Sequence, residues 1–154
     1  VRGRIANHWS NHRRIMAVTI GKALKAKLLS YNAVSTLISG RMYASALLQN
    51  SALPAVVFKK ISTQREHVIG DVTKLCHALY QFDCFALTKD AADSVSKAIQ
   101  DSGICAFRGT STGVVFCGVE IPSGEYDGDE PPTDGNQEHR YITSFDLLVH
   151  YQEA

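Results

Sequence analysis

Apolar residues first recur at helical spacing near residue 20. Ile20, Leu24, Leu28 and Tyr31 fall at i, i+4, i+8 and i+11, while Lys22, Lys25 and Lys27 lie off that stripe. The spacing predicts an amphipathic helix with its apolar side in a core, and Thr19 is placed to cap its start through a side-chain oxygen. Asn32 is placed to cap a second, short helix carrying Val34, Leu37 and Ile38, with Gly40 ending it in a left-handed conformation. Residues 41–54 show no period and read as an irregular connection closing on Pro54.

From Ala55 the period changes to two. Ala55 to Ser62 is rich in β-branched and aromatic residues and predicts a strand. Residues 63–73 are polar, contain Gly70 and read as a turn region. Lys74 to Thr88 predicts a long strand with Tyr80, Phe82, Cys84 and Ala86 on one face and Leu79, Gln81, Asp83 and Phe85 on the other. Asp90 is placed to open a third helix. Asp90 and Asp93 have the spacing of a capping pair, Val95, Ala98 and Ile99 form the apolar stripe, and Gly103 is the stop. Ile104 to Phe107 reads as a short strand, and Val114 to Ile121 as a clear one. Arg140 to Tyr151 alternates strictly: Tyr141, Thr143, Phe145, Leu147, Val149 and Tyr151 against Ile142, Ser144, Asp146, Leu148 and His150.

Residues 122–139 separate those last two strands. They hold Glu125, Asp127, Asp129, Glu130, Asp134 and Glu138 with three prolines and three glycines, and read as a long acidic β-hairpin loop. The order predicts an α+β domain, a small mostly antiparallel β-sheet with helices packed on one face. The 154 residues suit one domain over residues 17–154, preceded by a basic N-terminal extension over residues 1–16. Met16, where the pattern opens, is a candidate internal start.

Charge divides the chain sharply. Residues 1–65 hold eleven basic residues and no acid, and residues 66–154 hold five basic and all fifteen acidic ones. The halves thus carry +11 and −10 within a whole of +1. Three readings follow: a nucleic-acid contact made by the basic half, a basic surface of one copy meeting an acidic surface of the next, or charges that interleave on one folded surface. Aromatic residues are not interleaved with the basic ones as base-stacking platforms require, which weighs against the first.

The chemistry-bearing residues point to no reaction. No nucleophile elbow, phosphate loop, dinucleotide fingerprint or zinc-protease motif occurs. Ser111 and Ser123 lie in glycine-containing turns. Asp83 and Asp146 are candidates for an acid–base pair across a sheet, set against the plainer reading of solvated or interface carboxylates. Asp127, Asp129 and Glu130 lack the order of a calcium loop. Cys76, Cys84, Cys105 and Cys117 read as buried free thiols, and adjacent Cys76 and His77 point to opposite faces of a strand, against a zinc site. The histidines are scattered, with His8 and His12 at helical spacing. No catalytic residue, cofactor or metal is expected. No apolar run approaches the ~20 residues that span a bilayer, and Ile15 to Ile20 is too short for a signal-peptide core. Synthesis and assembly in the host cytoplasm, without a membrane, are therefore expected.

Three stretches resemble the tail-completion, or tail terminator, family of long-tailed bacteriophages: Ser39-Gly40-Arg41-Met42-Tyr43, Leu53-Pro54-Ala55-Val56-Val57-Phe58, and Tyr80 to Thr88 followed by Asp90-Ala91-Ala92. The last strand, Ser144 to Tyr151, is similar as well, so the likeness spans roughly Ala17 to Tyr151. Residues 1–15 and the length of the acidic loop depart from the pattern. The resemblance implies a virion protein of the neck, a homohexameric ring that ends tail-tube polymerisation and joins the tail to the head connector. Its implied partners are other copies of itself, the tail tube protein and the connector or stopper protein, with genomic DNA passing through the lumen without specific binding. Joined to the charge split, it nominates Trp9, Arg13, Arg14, Arg41, Lys59 and Lys60 on one side of a contact. Glu125, Asp127, Asp129, Glu130 and Asp134 are nominated on the other.

Overall fold

A computed structural model describes residues 19–47, 50–122, 124–132 and 138–152, without the side chains of 71–73. Helix α1 (Ile20–Leu29) starts where expected, with the Thr19 hydroxyl accepting from the Lys22 amide, and buries Ile20, Leu24 and Leu28. Helix α2 (Asn32–Ile38) departs from expectation at its start. Tyr31 is its cap residue and contributes no side-chain bond, while Asn32 is already helical. Val34 and Ile38 are buried but Leu37 is exposed. Ser39 and Gly40, with φ of 51° and 75°, make the left-handed exit.

That exit leads directly into a strand that the pattern does not announce. β1 (Met42–Ala44) pairs in parallel with β2 (Ala55–Val68), Met42 opposite Val56. Three residues are too few to show a period, so only pairing reveals them as a strand. β2 also outruns its apolar run. Residues 63–68, read as turn, continue the ladder against β3 (Asp71–Ala86), and the turn shrinks to Ile69 and Gly70. Two register shifts, at Lys60/Ser62 and Arg65/His67, break the alternation that a sequence reading relies on.

Helix α3 (Lys89–Gln100) is capped by Thr88, whose hydroxyl accepts from the Ala91 amide, and not by Asp90. Its buried face is Ala92, Val95, Ser96 and Ile99, with Ala98 half-buried. Ile104–Ala106, read as a strand, is a 3-10 turn entered through Gly103 at φ 96°. Four strands follow: β4 (Gly109–Ser111), β5 (Val114–Glu120), β6 (Tyr126–Glu130) and β7 (Arg140–Gln152). β6 lies inside the stretch read as an acidic loop.

The sheet runs β1-β2-β3-β7-β5-β4. β6 joins the same edge of β7 as β5, opposite residues 140–144 where β5 takes 148–152. The sheet is mixed, because β1 adds in parallel to a set of antiparallel pairs. The helices and the 3-10 turn join one sheet face in a single core that includes Leu24, Ile38, Val95 and Ile104. That face carries a row of register partners, Phe58–Phe82–Phe145, with rings stacked at 5.8 and 5.3 Å. Each buried phenylalanine contributes about 1.5–3 kcal/mol from burial. The described residues form an α+β arrangement, two layers in which the helices cover one sheet face.

Candidate functional site

The nominated residues fall on two separated parts of the sheet. The outer half of β2, Lys59 to Val68, is exposed on both faces and projects as one strand of the β2–β3 hairpin. β6 (Tyr126–Glu130) is exposed throughout. Since β6 lies beside the start of β7 and the outer half of β2 lies beyond its middle, the two occupy diagonally opposite corners.

The basic corner is not one patch. Lys59 stands opposite Gln81 and Lys60 opposite Tyr80, so successive positions send them to opposite faces. Lys59 lies 3.9 Å from the Asp83 carboxylate. Arg41 sits apart and is spent on the fold: its Nε donates to the Pro54 carbonyl at 2.9 Å, fixing the approach to β2. The acidic corner is engaged with its own chain. Glu125 accepts from Gln100 Nε2 at 2.5 Å, Asp129 lies 3.2 Å from His139 Nε2, and Glu130 lies 3.9 Å from Arg140. Trp9, Arg13, Arg14 and Asp134, with His8 and His12, lie outside the described residues.

Lys89 is the hub that the sequence reading missed. From the first turn of α3 its ammonium donates to Asp127 on β6 and Asp93 on its own helix, each at 2.5 Å, and to the Thr143 hydroxyl at 2.8 Å. Thr143 in turn donates to Asp93 at 2.7 Å. Partial burial works against the charged amine, but the hydrogen bonds and charges of Asp127 and Asp93 prevail and hold its pKa above the usual value. Asp93 is held below the usual carboxylate value, first by the Lys89 hydrogen bond and then by Thr143. The spacing of Asp90 and Asp93 suggests a cap, but Asp93 is instead part of the link between α3, β6 and β7.

On the open face, Asp83 stands opposite Ser144 and Asp146 opposite Gln81, so the proposed acid–base partners are diagonal and not paired. Asp83 accepts from Ser144 Oγ at 2.6 Å and Gln81 Nε2 at 2.9 Å. Tyr126 hangs over this region, its phenol pushed up by burial and then by the charges of Asp146 and Asp83. A shallow cleft lined by Leu53, Leu87, Glu138 and Arg140 contains neither aspartate. All four cysteines are free, Cys76 and Cys84 buried and the other two half-buried. Burial raises the Cys84 and Cys105 thiols, away from the thiolate that reacts. Among the described residues no group of three or more His, Cys, Asp or Glu side chains is arranged to hold a metal ion. No helix among them is long and apolar enough to cross a membrane.

Among the described residues the geometry is that of a two-layer scaffold with charged, projecting edges. The family model for tail completion protein gp17 matches residues 22–102, just over half the chain, and the chain belongs to that family. It is a structural protein of the bacteriophage virion tail. No curated protein sequence matches it. Its fold is similar to that of a chain in the virion of a native gene transfer agent (GTA) particle. That chain aligns at a TM-score of 0.55 over 88% of this chain and 99% of the other, with 10% identity.

Proposed function

We propose that this protein is the tail terminator of a long-tailed phage. In this reading, copies close into a ring, a hexamer, that caps the tail tube, ends its polymerisation and joins it to the head connector or stopper protein. The observation that carries the reading is the diagonal separation of a basic projecting hairpin from an acidic strand on one sheet. A contact between unlike surfaces is heterologous, and repeated by a fixed rotation it closes into a ring. Lys59 and Lys60 on one copy and Glu125, Asp127, Asp129 and Glu130 on the next supply opposite charge. Arg41 supports β2 from behind, and Trp9, Arg13, Arg14 and Asp134 are assigned to the same contact. Family membership and the fold shared with a chain of a virion particle support the placement. Genomic DNA passes through the lumen without specific binding, since carboxylates facing it repel phosphates and reduce sticking. The ring forms in the host cytoplasm, before the virion is complete.

The test is electron microscopy of particles from a phage in which this gene is disrupted. Filled heads beside detached tails of irregular, excessive length are expected. Normal attached tails overturn the reading.

A further inference from the structure

The open sheet face carries a continuous polar chain that the charge split does not account for. His77 on β3 and His150 on β7 are register partners. Their rings meet nearly perpendicular, centroids 4.6 Å apart, with Nδ1 against Nδ1. At the outer ends, His77 Nε2 lies 2.7 Å from Glu66 Oε1 on β2, and His150 Nε2 lies 3.0 Å from Glu120 Oε1 on β5. Four side chains thus cross four strands.

Counting hydrogens shows what this chain requires. A carboxylate only accepts, so each Nε2 carries a hydrogen. A neutral imidazole has one N–H, which leaves both Nδ1 lone pairs aimed at each other. The contact becomes attractive when one proton lies between them, one ring then donating as imidazolium to the other. The two flanking carboxylates balance that charge. Gln64 stands opposite His77 on β2, and the adjacent rows are Leu75–Gln152 and Leu79–Leu148. Arg108 lies beside Gly118, the register partner of His150. A Cβ on Gly118 would sit 3.5 Å from the His150 ring and 3.8 Å from the Arg108 guanidinium carbon.

We propose that His77 and His150 share one proton, making Glu66–His77–His150–Glu120 a pH-set latch that holds the projecting β2–β3 hairpin to the body of the sheet. Among the described residues β7 pairs with β3 as far as Gln152 opposite Leu75, so the latch sits two register pairs inside the end of that pairing. Beyond it, among the described residues, the hairpin strands pair only with each other, and a two-stranded ribbon alone is marginal. As pH rises the shared proton passes to solvent, the two lone pairs confront each other, and the outer hairpin loosens.

Two measurements on the full chain test this between about pH 5.5 and about pH 8, where imidazoles change charge. Long-range proton–nitrogen correlation spectra read each ring nitrogen. They should show hydrogen on both Nε2 atoms throughout, and a proton on the facing Nδ1 pair only at the acid end. Hydrogen exchange, corrected for its intrinsic pH dependence, should show protection at residues 64–68 and 74–77 falling by about tenfold across the range. In His150→Gln that fall should vanish. A bare Nε2 with hydrogen on Nδ1 in either ring overturns the proposal, as does an undiminished pH dependence in His150→Gln. The spectra use the unaltered protein and decide the matter even where the variant does not fold. Neither measurement depends on ring formation, so the latch and the terminator reading stand or fall separately.

Discussion

Strand β2 holds two regions that differ in everything except backbone. Ala55 to Phe58 are buried, with β1 on one side, β3 on the other and the helices above, whereas Lys59 to Val68 are exposed on both faces and, among the described residues, have only β3 beside them. The inner segment is held by burial and the outer one by a single ladder. The difference teaches that strand length and strand stability are separate properties. The inner half belongs to the core, and the outer half is a projection whose order depends on its neighbours.

The comparison is broken most severely at the inner end. Phe82→Ala removes the middle ring of the Phe58–Phe82–Phe145 row and should cost about 3–5 kcal/mol, read by chemical denaturation. A cost under about 1 kcal/mol would show that the row is not the centre of the core. Next comes the paired reversal Lys59→Glu with Lys60→Glu, which should leave the fold intact but weaken self-association by tenfold or more in sedimentation, about 1.4 kcal/mol or above. The same association in the unaltered protein should weaken as salt rises past ~0.1 M. Self-association that ignores both changes would remove the basic corner from the contact.

Smaller effects are expected at the junctions. Lys89→Met leaves Asp93 and Asp127 without their shared cation and should cost about 1 kcal/mol, discounted because these side chains are partly exposed to water. The sign with pH follows from Asp93. Its folded pKa is lowered, so its contribution is present above the ordinary carboxylate value of 3.8 and is lost as pH falls through the lowered one. Asp93→Asn should therefore flatten the acid limb of the stability curve, and an unchanged limb would assign acid sensitivity elsewhere. The smallest effect is expected at the hairpin tip. Ile69 is fully exposed at 105%, and Ile69→Ser should shift monomer stability by less than about 0.5 kcal/mol. A loss of self-association in that variant would show that the tip is packed by another copy.

The charged corners could be named from sequence but not assembled from it. Glu125 to Glu130 stand out as acidic, yet nothing in their composition indicates a strand, because β6 is exposed throughout and has no apolar period to display. The Lys89 hub joins residues 38 and 54 positions apart, a separation that no local pattern encodes. The same holds for His77 and His150, which look scattered until β3 and β7 are in register. The parity of each strand was readable, and with the register known that parity would have brought the two rings together.

The sequence by itself determined the elements whose signal is local. α1 with its Thr19 cap, the apolar faces of β3 and β7, and the charge division are all written in the spacing of side chains that a helix or strand places on one side. Tertiary structure decided what depends on partners: β1 as a three-residue parallel strand, the extension of β2 past its apolar run, the 3-10 turn at Ile104, and the reassignment of Asp93 from cap to link. The physical reason is range. Periodicity reports which face of an element meets a core. Register and ion pairing arise only when distant segments meet, and no single segment carries their record.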